Sequence, residues 1–575
     1  MSDIQDKLKR KIGTVQDVDT KKVSIRVLEE ETLNNLKIND LVVLSGNNAD
    51  ERLIGIVTRV SKKRIERDDT EEMEDLSIDY SFNFCNVTLV GTFYNIISPQ
   101  KHNVFKRAVN TYPEINSTVY LADGDALSII MNSLDSDIAS EKKLKIGKYA
   151  SNDSVEAILD GNKFFQRHAG IVGSTGSGKS FTVANILEKA NNLEHANLIV
   201  FDLHGEYNEL SYAKQIKIGD SSDGLHIPLW FFNYEEIHSL FIESSEGTAS
   251  NQRAVAVQYI LENKKDYIKE NLKSLSADII TADTPIPFSA VGFKNYLEEE
   301  NIKEISTGEL FKTGDKKGQE KTKQGQYYGK LTNLITRLQT KIDDNKYAFV
   351  FNEGETSKSE YLNKFISEIM DNQHHIKVID LSEVPSDILS IVIGIITRLV
   401  YEVQFWMTPG KQETRHPLTF ICDEAHLYMP KDTTKLKSIE KKSLDIFEKI
   451  SKEGRKYGVS LVVVSQRPAE LNTTIMSQCN NIISLKVIND RDKSAVSTML
   501  TDSLVGLVET LPNLDVGECI VIGDSIKLPT KILLDKPKEE PKSTTIDFWD
   551  RWNDNKGTVF NIESAIKNMI CQSRQ

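Results

Sequence analysis

The chain has 575 residues and a mass of 64.9 kDa, too long for one compact core, so roughly two to four domains are expected. Its 39% hydrophobic and 27% charged residues exclude a wholly disordered or fibrous protein. Lys+Arg 71 against Asp+Glu 84 leaves −13, so a polyanion would have to be met by a local basic surface.

The N-terminal MSDIQDKLKRK lacks the apolar core of a signal peptide. From Lys11 to about Tyr94, apolar and polar residues alternate in short runs: Val23, Ile25 and Val27, then Ile54, Ile56 and Val60, then Val87 and Leu89. Such runs between Asn/Asp/Gly turns predict a small antiparallel β-barrel, assigned to residues 1–140, with the charged segment 62–74 as a solvated loop. From about Leu144 the character changes. The runs AGIVG, LIVFD, IKVID, TFICDE, SLVVVSQ and ECIVIG alternate with helical stretches, as a parallel sheet covered on both faces requires. Residues 141–232 and 376–535 are therefore read as an α/β core. Between them, 233–375 is a helical insertion, in which 312–323 (KTGDKKGQEKTK) reads as a mobile loop. The apolar stretch from Ile388 to Met407 carries Arg398 and Glu402 and is expected to fall short of a membrane span. Residues 536–575 read as a linker and a short amphipathic segment around Phe548, Trp549 and Trp552. The five cysteines (Cys85, Cys422, Cys479, Cys519, Cys571) are scattered without a CxxC pair, which argues against a disulfide framework or a zinc site. A soluble cytoplasmic protein with no membrane partner is expected.

The strongest motif is Gly173-Ser174-Thr175-Gly176-Ser177-Gly178-Lys179-Ser180, placed after the apolar strand HAGIV and before a helix that Phe181 enters. This is the strand–loop–helix context of a phosphate-binding loop. Glycines let successive backbone N–H groups converge on phosphate oxygens, and the helix N-terminus adds its dipole. ATP is the expected ligand, with Lys179 on the β- and γ-phosphates and Ser180 on Mg²⁺. TFICDEAH supplies the acids: Asp423 for the Mg²⁺ shell and Glu424 as the base for water. SLVVVSQ ends in Gln466, whose amide can report the γ-phosphate. Asp380, which ends IKVID, reads as structural. In FDLHGEY, Asp202 is expected to end a strand beside the glycine-loop strand, so its carboxylate could reach the metal site or the water; His204 reads as a turn residue, and Glu206 stays open.

In this order, HAGIVGSTGSGKS, FDLHGEY, ICDEAH and KEGRKYGVSLVVVSQRP resemble the HerA branch of the HerA/FtsK group of DNA-pumping ATPases. The resemblance covers about Leu144 to Leu534, and the barrel before it resembles that family's N-terminal HAS barrel. It implies a RecA-like P-loop core with a parallel-type sheet. It also implies a Mg²⁺-dependent ATPase, a homohexamer with ATP between subunits, and translocation of double-stranded DNA. Arg455 in EGRKYG matches the family arginine that acts from a neighbouring protomer. Arg167 matches a second nucleotide-contacting arginine, and the segment after the last strand places a further contact near Lys527 and Leu528. The family also implies a separate effector, a NurA-like nuclease or a phage-defence enzyme such as a sirtuin-like NADase, docked on the N-terminal barrel.

No zinc finger, helix-turn-helix or aromatic base-reading stripe is present. Pumping needs only backbone contacts. The basic segment preferred for a DNA channel is Lys431, Lys435, Lys437, Lys441 and Lys442, since it follows the acidic strand. The alternatives are a VirB4- or TraD-like conjugation pump and a scaffold whose assembly ATP switches; DNA-stimulated turnover separates the scaffold from a motor.

Overall fold

The computed structural model describes residues 4–20, 22–46, 48, 50–64, 81–98, 101–219, 224–243, 245–312, 317–407, 416–434, 436, 438–498, 505–543, 548–553 and 562–571. The chain divides into two compact units, one of residues 1–193 with 460–540 and one of 194–459 with 541–575.

The first unit begins with a closed barrel. Its strands are β1 (Lys11–Val18), β2 (Val23–Val27), β3 (Leu41–Ser45), β4 (Glu51–Arg64), β5 (Ser81–Ser98), β6 (Lys101–Lys106) and β7 (Thr118–Leu121). The order β2-β1-β7-β3-β4-β5 closes through β2–β5, and β6 extends the sheet from β5. Every pairing is antiparallel. The alternation read in the sequence is the reason. Ile12, Val15, Val23, Ile25, Val42, Leu44, Leu53, Val57, Cys85 and Val87 fill one interior, each large aliphatic contributing about 1.5–3 kcal/mol by leaving water. Closure needs bends, and β4 supplies them at register shifts between Ile54 and Gly55 and between Val57 and Arg59. A Cβ at Gly55 would lie 2.2 Å from Val87 Cγ1, so only glycine lets the strands approach there. The loop expected from residue 62 starts later, because Lys62, Lys63 and Arg64 still pair with Asn83, Phe82 and Ser81; residues 65–80 lie outside the described residues.

The remaining strands are β8 (Lys143–Tyr149), β9 (Asn152–Asp160), β10 (Ala169–Val172), β11 (Leu198–Asp202), β12 (Ala213–Lys217), β13 (Glu304–Leu310), β14 (Glu320–Gln324), β15 (Ile376–Asp380), β16 (Leu418–Cys422), β17 (Val459–Ser465), β18 (Asn481–Ser484), β19 (Glu518–Gly523) and β20 (Lys531–Leu534). In the first unit, β10 lies between β17 and β18, parallel to both. Beyond β18 the expectation of a parallel sheet fails. β19, the ECIVIG run, pairs antiparallel with β18, and β20, β8 and β9 continue antiparallel. The connection 524–530 is too short for a crossover, which needs a dozen or more residues, so β19 and β20 form a hairpin.

The second unit holds the parallel order β12-β15-β11-β16. The helix Ser386–Trp406 is, by length and composition alone, apolar enough to cross a membrane, contrary to the expectation. Yet 67% of its most apolar window is buried inside the protein, and Arg398 pairs with Glu236 at 3.1 Å and Glu402 at 3.5 Å. It is a core helix of this unit. The insertion is helical as read, with helices at Tyr234–Phe241, Ala249–Asn271, Ala290–Ile302, Thr332–Ile342 and Glu360–Ile369. The exception is the hairpin β13–β14: the stretch expected as a loop is partly strand, with Thr322 and Lys323 opposite Ser306 and Ile305.

Candidate nucleotide site

The glycine loop follows β10, whose register sets what surrounds it. Val172 pairs with Ser465 of β17 and with Ser484 of β18, so Gln466 emerges beside the start of the loop. Thr175 Oγ1 donates to Gln466 Oε1 at 2.6 Å. Gly176 and Gly178 adopt φ of 74° and 102°, which side-chain-bearing residues avoid. The amides of Thr175, Gly176 and Gly178 have no acceptor among the described residues. Ser177 Oγ is buried without a hydrogen-bond partner among the described residues, and a Cβ on Gly173 would lie 2.5 Å from it. Gly178 caps the helix Lys179–Asn191, which buries Thr182, Val183, Ile186 and Leu187 and so fixes where its N-terminus points. Lys179 is largely buried, with Nζ 3.4 Å from Ser174 O; Ser180 is half-buried and Thr175 exposed. A concave loop of unpaired amides, an orphaned hydroxyl and one ammonium is what phosphate oxygens require.

The acids stand at the C-terminal ends of the parallel strands of the second unit. Asp202 is in register with Asp380, and Phe201 with Cys422, so Asp423 leaves β16 next to Asp202. Its strand β11 pairs with β15 and β16, and not with the glycine-loop strand β10 as expected, and Asp202 is not free to serve a metal. Its Oδ1 accepts the amides of His204, Gly205 and Glu206 at 3.2, 2.8 and 3.1 Å, and its Oδ2 accepts that of Tyr207 at 2.8 Å. The carboxylate thus folds the HGEY turn, which leaves His204 exposed and Glu206 half-buried. Burial, opposed by those amides, pushes the Asp202 carboxyl up. Asp380 accepts Asn208 Nδ2 at 3.0 Å and the Ser382 amide at 2.9 Å, consistent with a structural part.

Asp423 is buried, and its carbonyl accepts Tyr428 OH at 3.0 Å. Burial, then the charges of Glu424 and Glu206, push its carboxyl up to about 8. Glu424 is largely buried and adopts a left-handed φ of 43°, unusual for a residue with a side chain. Its amide donates to Asp423 Oδ1 at 2.9 Å. Oxygen-only donors of this charge suit a hard divalent cation such as Mg²⁺, and the loop's amides and Lys179 suit the phosphates of ATP. Both groups fit the residues present.

Arg455 lies on the short turn Gly454–Tyr457 that ends the helix Ser438–Glu453. It is exposed and has no ion-pair partner among the described residues. Arg167 is engaged: its guanidinium bonds Asp524. Arg107, from the barrel, bonds the same loop through the carbonyls of Gly523, Ile526 and Lys527. Lys527 and Leu528, where the resemblance implies a nucleotide contact, lie in the first unit. Lys527 Nζ reaches Asp137 at 3.0 Å and Phe105 O at 3.3 Å, and Leu528 is fully buried. Arg107 and Asp524 were beyond sequence reading, since 417 positions separate them and no local pattern marks either. Of the basic segment, Lys431 and Lys441 are exposed, Lys442 pairs with Glu235 at 2.6 Å, and Lys435 and Lys437 lie outside the described residues.

Residues 144–400 match the family described as Helicase HerA, central domain. The chain is 27% identical over 428 residues to a probable helicase of Methanocaldococcus jannaschii, covering 74% of this chain and 71% of that protein. It is 27% identical over 422 residues to the DNA double-strand break repair helicase HerA of Saccharolobus solfataricus, covering 73% and 74%. Among solved structures, VirB4 of Thermoanaerobacter pseudethanolicus superposes with a TM-score of 0.46 at 16% identity, covering 69% of this chain and 97% of that one. The resemblance to HerA-type ATPases read from the motifs is borne out.

Proposed function

We propose that this chain, similar to HerA helicases over most of its length, is a Mg²⁺-dependent ATPase that moves along double-stranded DNA as a homohexamer. The observation that carries the reading is Glu424, an intact acid held in a left-handed turn directly after Asp423. A protein that only bound ATP would not need that residue. Lys179 and the loop amides hold the phosphates, and Gln466 meets the γ-phosphate. Ser180 and Asp423 hold the cation. Mg²⁺, when bound, supplies charge neutralisation on the phosphates. Glu424 accepts the proton of the attacking water. Arg455, exposed and without an ion-pair partner among the described residues, supplies positive charge to the neighbouring copy's phosphates. Exposed Lys431 and Lys441 meet the DNA backbone.

The barrel over residues 1–140 is the docking surface for a separate effector, since it carries no catalytic motif. Six weak contacts on one ring gain avidity through effective concentration. The test of the motor is ATP turnover with and without duplex DNA: stimulation supports it, and indifference to DNA favours an ATP-switched scaffold. For the barrel, removal of residues 1–140 should abolish effector capture by a hexamer that still forms; capture retained by that hexamer excludes docking there.

A further inference from the structure

We propose that His426 is a positioning residue that orients the carboxylate of Glu424; this rests on the reading of Glu424 as the base. The local fold places the two side chains together. Glu424, with φ 43° and ψ 40°, reverses the chain into the short turn Ala425–Leu427. The Leu427 amide then bonds Glu424 O at 2.9 Å and the Met429 amide bonds Ala425 O at 2.7 Å. The turn carries the His426 ring back over its predecessor but one, so that Nδ1 lies 3.2 Å from Glu424 Oε2. Both side chains are nearly enclosed, 7% exposed for His426 and 11% for Glu424. The contact has ion-pair distance but not the angle of a full hydrogen bond, and Glu424 Oε2 has no other partner among the described residues.

A carboxylate has two oxygens and a freely turning terminal torsion. A base must hold one oxygen at the water while the other is occupied, or it spends its time in unproductive rotamers. A ring N–H on Nδ1, 3.2 Å away, attracts Oε2 without closing a full hydrogen bond and so favours the rotamer that leaves Oε1 for water. The residue therefore acts through Glu424, the side chain its ring faces.

The test uses the full-length hexamer with duplex DNA, measuring steady-state ATP hydrolysis, ATP binding and thermal midpoint. His426→Ala should lower kcat by about tenfold, the size of one lost orienting contact, with KM for ATP within about twofold. His426→Asn, whose amide nitrogen falls near the place of Nδ1, should restore roughly half of the rate. A merely packing role predicts no such rescue. In a Glu424→Gln background, His426→Ala should cost nothing further. Wild-type kcat in folded His426→Ala, or Asn no better than Ala, overturns the positioning role while the base assignment stands. If His426→Ala does not fold, the Asn variant alone decides: a kcat near the wild-type value supports the proposal, and a tenfold loss overturns it. Wild-type turnover by Glu424→Gln overturns the base assignment and the proposal together.

Discussion

Thr175 Oγ1 donates a 2.6 Å hydrogen bond to Gln466 Oε1, joining the glycine loop to the end of β17 across 291 positions of sequence. With Oε1 engaged, the amide nitrogen of Gln466 is left to meet a phosphate oxygen. Gln466→Ala should lower ATP turnover by about tenfold, ~1.4 kcal/mol of barrier, while leaving ATP affinity within about threefold. Single-turnover hydrolysis against equilibrium binding separates the two. Equal loss of both would make Gln466 a binding residue only.

Glu424→Gln should bind ATP and fail to turn it over, because an amide preserves shape and cannot take a proton. Lys179→Ala should weaken binding and turnover together, since its ammonium is the largely buried cation of the loop. Hydrolysis by Glu424→Gln at the wild-type rate would refute the assignment.

Arg455→Ala and Glu424→Gln should each be inactive alone and partly active when mixed, if Arg455 serves a neighbour. Mixed rings then contain some sites with both groups intact. No recovery at any ratio, with mixed rings shown by native mass measurement, would count against action in trans.

Asp202→Asn should destabilise the HGEY turn by about 1–3 kcal/mol, because an NH₂ would face the Tyr207 amide that Oδ2 now accepts. Amide hydrogen exchange at residues 204–207 reads this directly. Unchanged protection would mean the turn holds without the carboxylate.

Lys264 is fully buried in the helix Ala249–Asn271, with Nζ bonded to Ala282 O at 2.5 Å and Thr284 O at 2.7 Å. Burial holds its amine down at about 7, against an ordinary 10.5. Between those values the unfolded chain binds the extra proton, so stability rises with pH through that window and is flat below it. The wild type should gain up to about 3 kcal/mol between pH 7 and 9, at 1.36 kcal/mol per pH unit. Lys264→Met should lose this slope. Hydrogen exchange along that helix at pH 7 and 9, corrected for intrinsic rates, is the check. The same slope in the variant would exclude Lys264 as its source.

Much of the site was legible because it is local. The glycine loop, its lysine and the DE pair each lie within a few residues, and each motif follows an apolar strand that predicts its place at that strand's C-terminal end. The LIVFD, IKVID and TFICDE runs are strands as read, but that their ends carry Asp202, Asp380 and Asp423 in one row was not legible. The part played by Asp202 was not legible, since four amides of the turn it precedes consume the carboxylate. A strand-end acid that folds its own turn and one that holds a metal look alike in one dimension.

Local spacing and side-chain period therefore determined, from sequence alone, that this protein carries a barrel, a phosphate-binding loop and a paired-acid strand. Those signals repeat every two residues in a strand, or close within one loop. Tertiary structure alone decided the closure of β2 onto β5, the antiparallel turn of β19, and the engagement of Lys527 by Asp137. It also decided the approach of His426 to Glu424. The first three depend on which segments meet across tens to hundreds of residues, and that choice is made by the burial of whole faces, which no short window of sequence contains. The last is local in sequence, but it depends on a left-handed φ that the residue type disfavours and that the surrounding fold must impose.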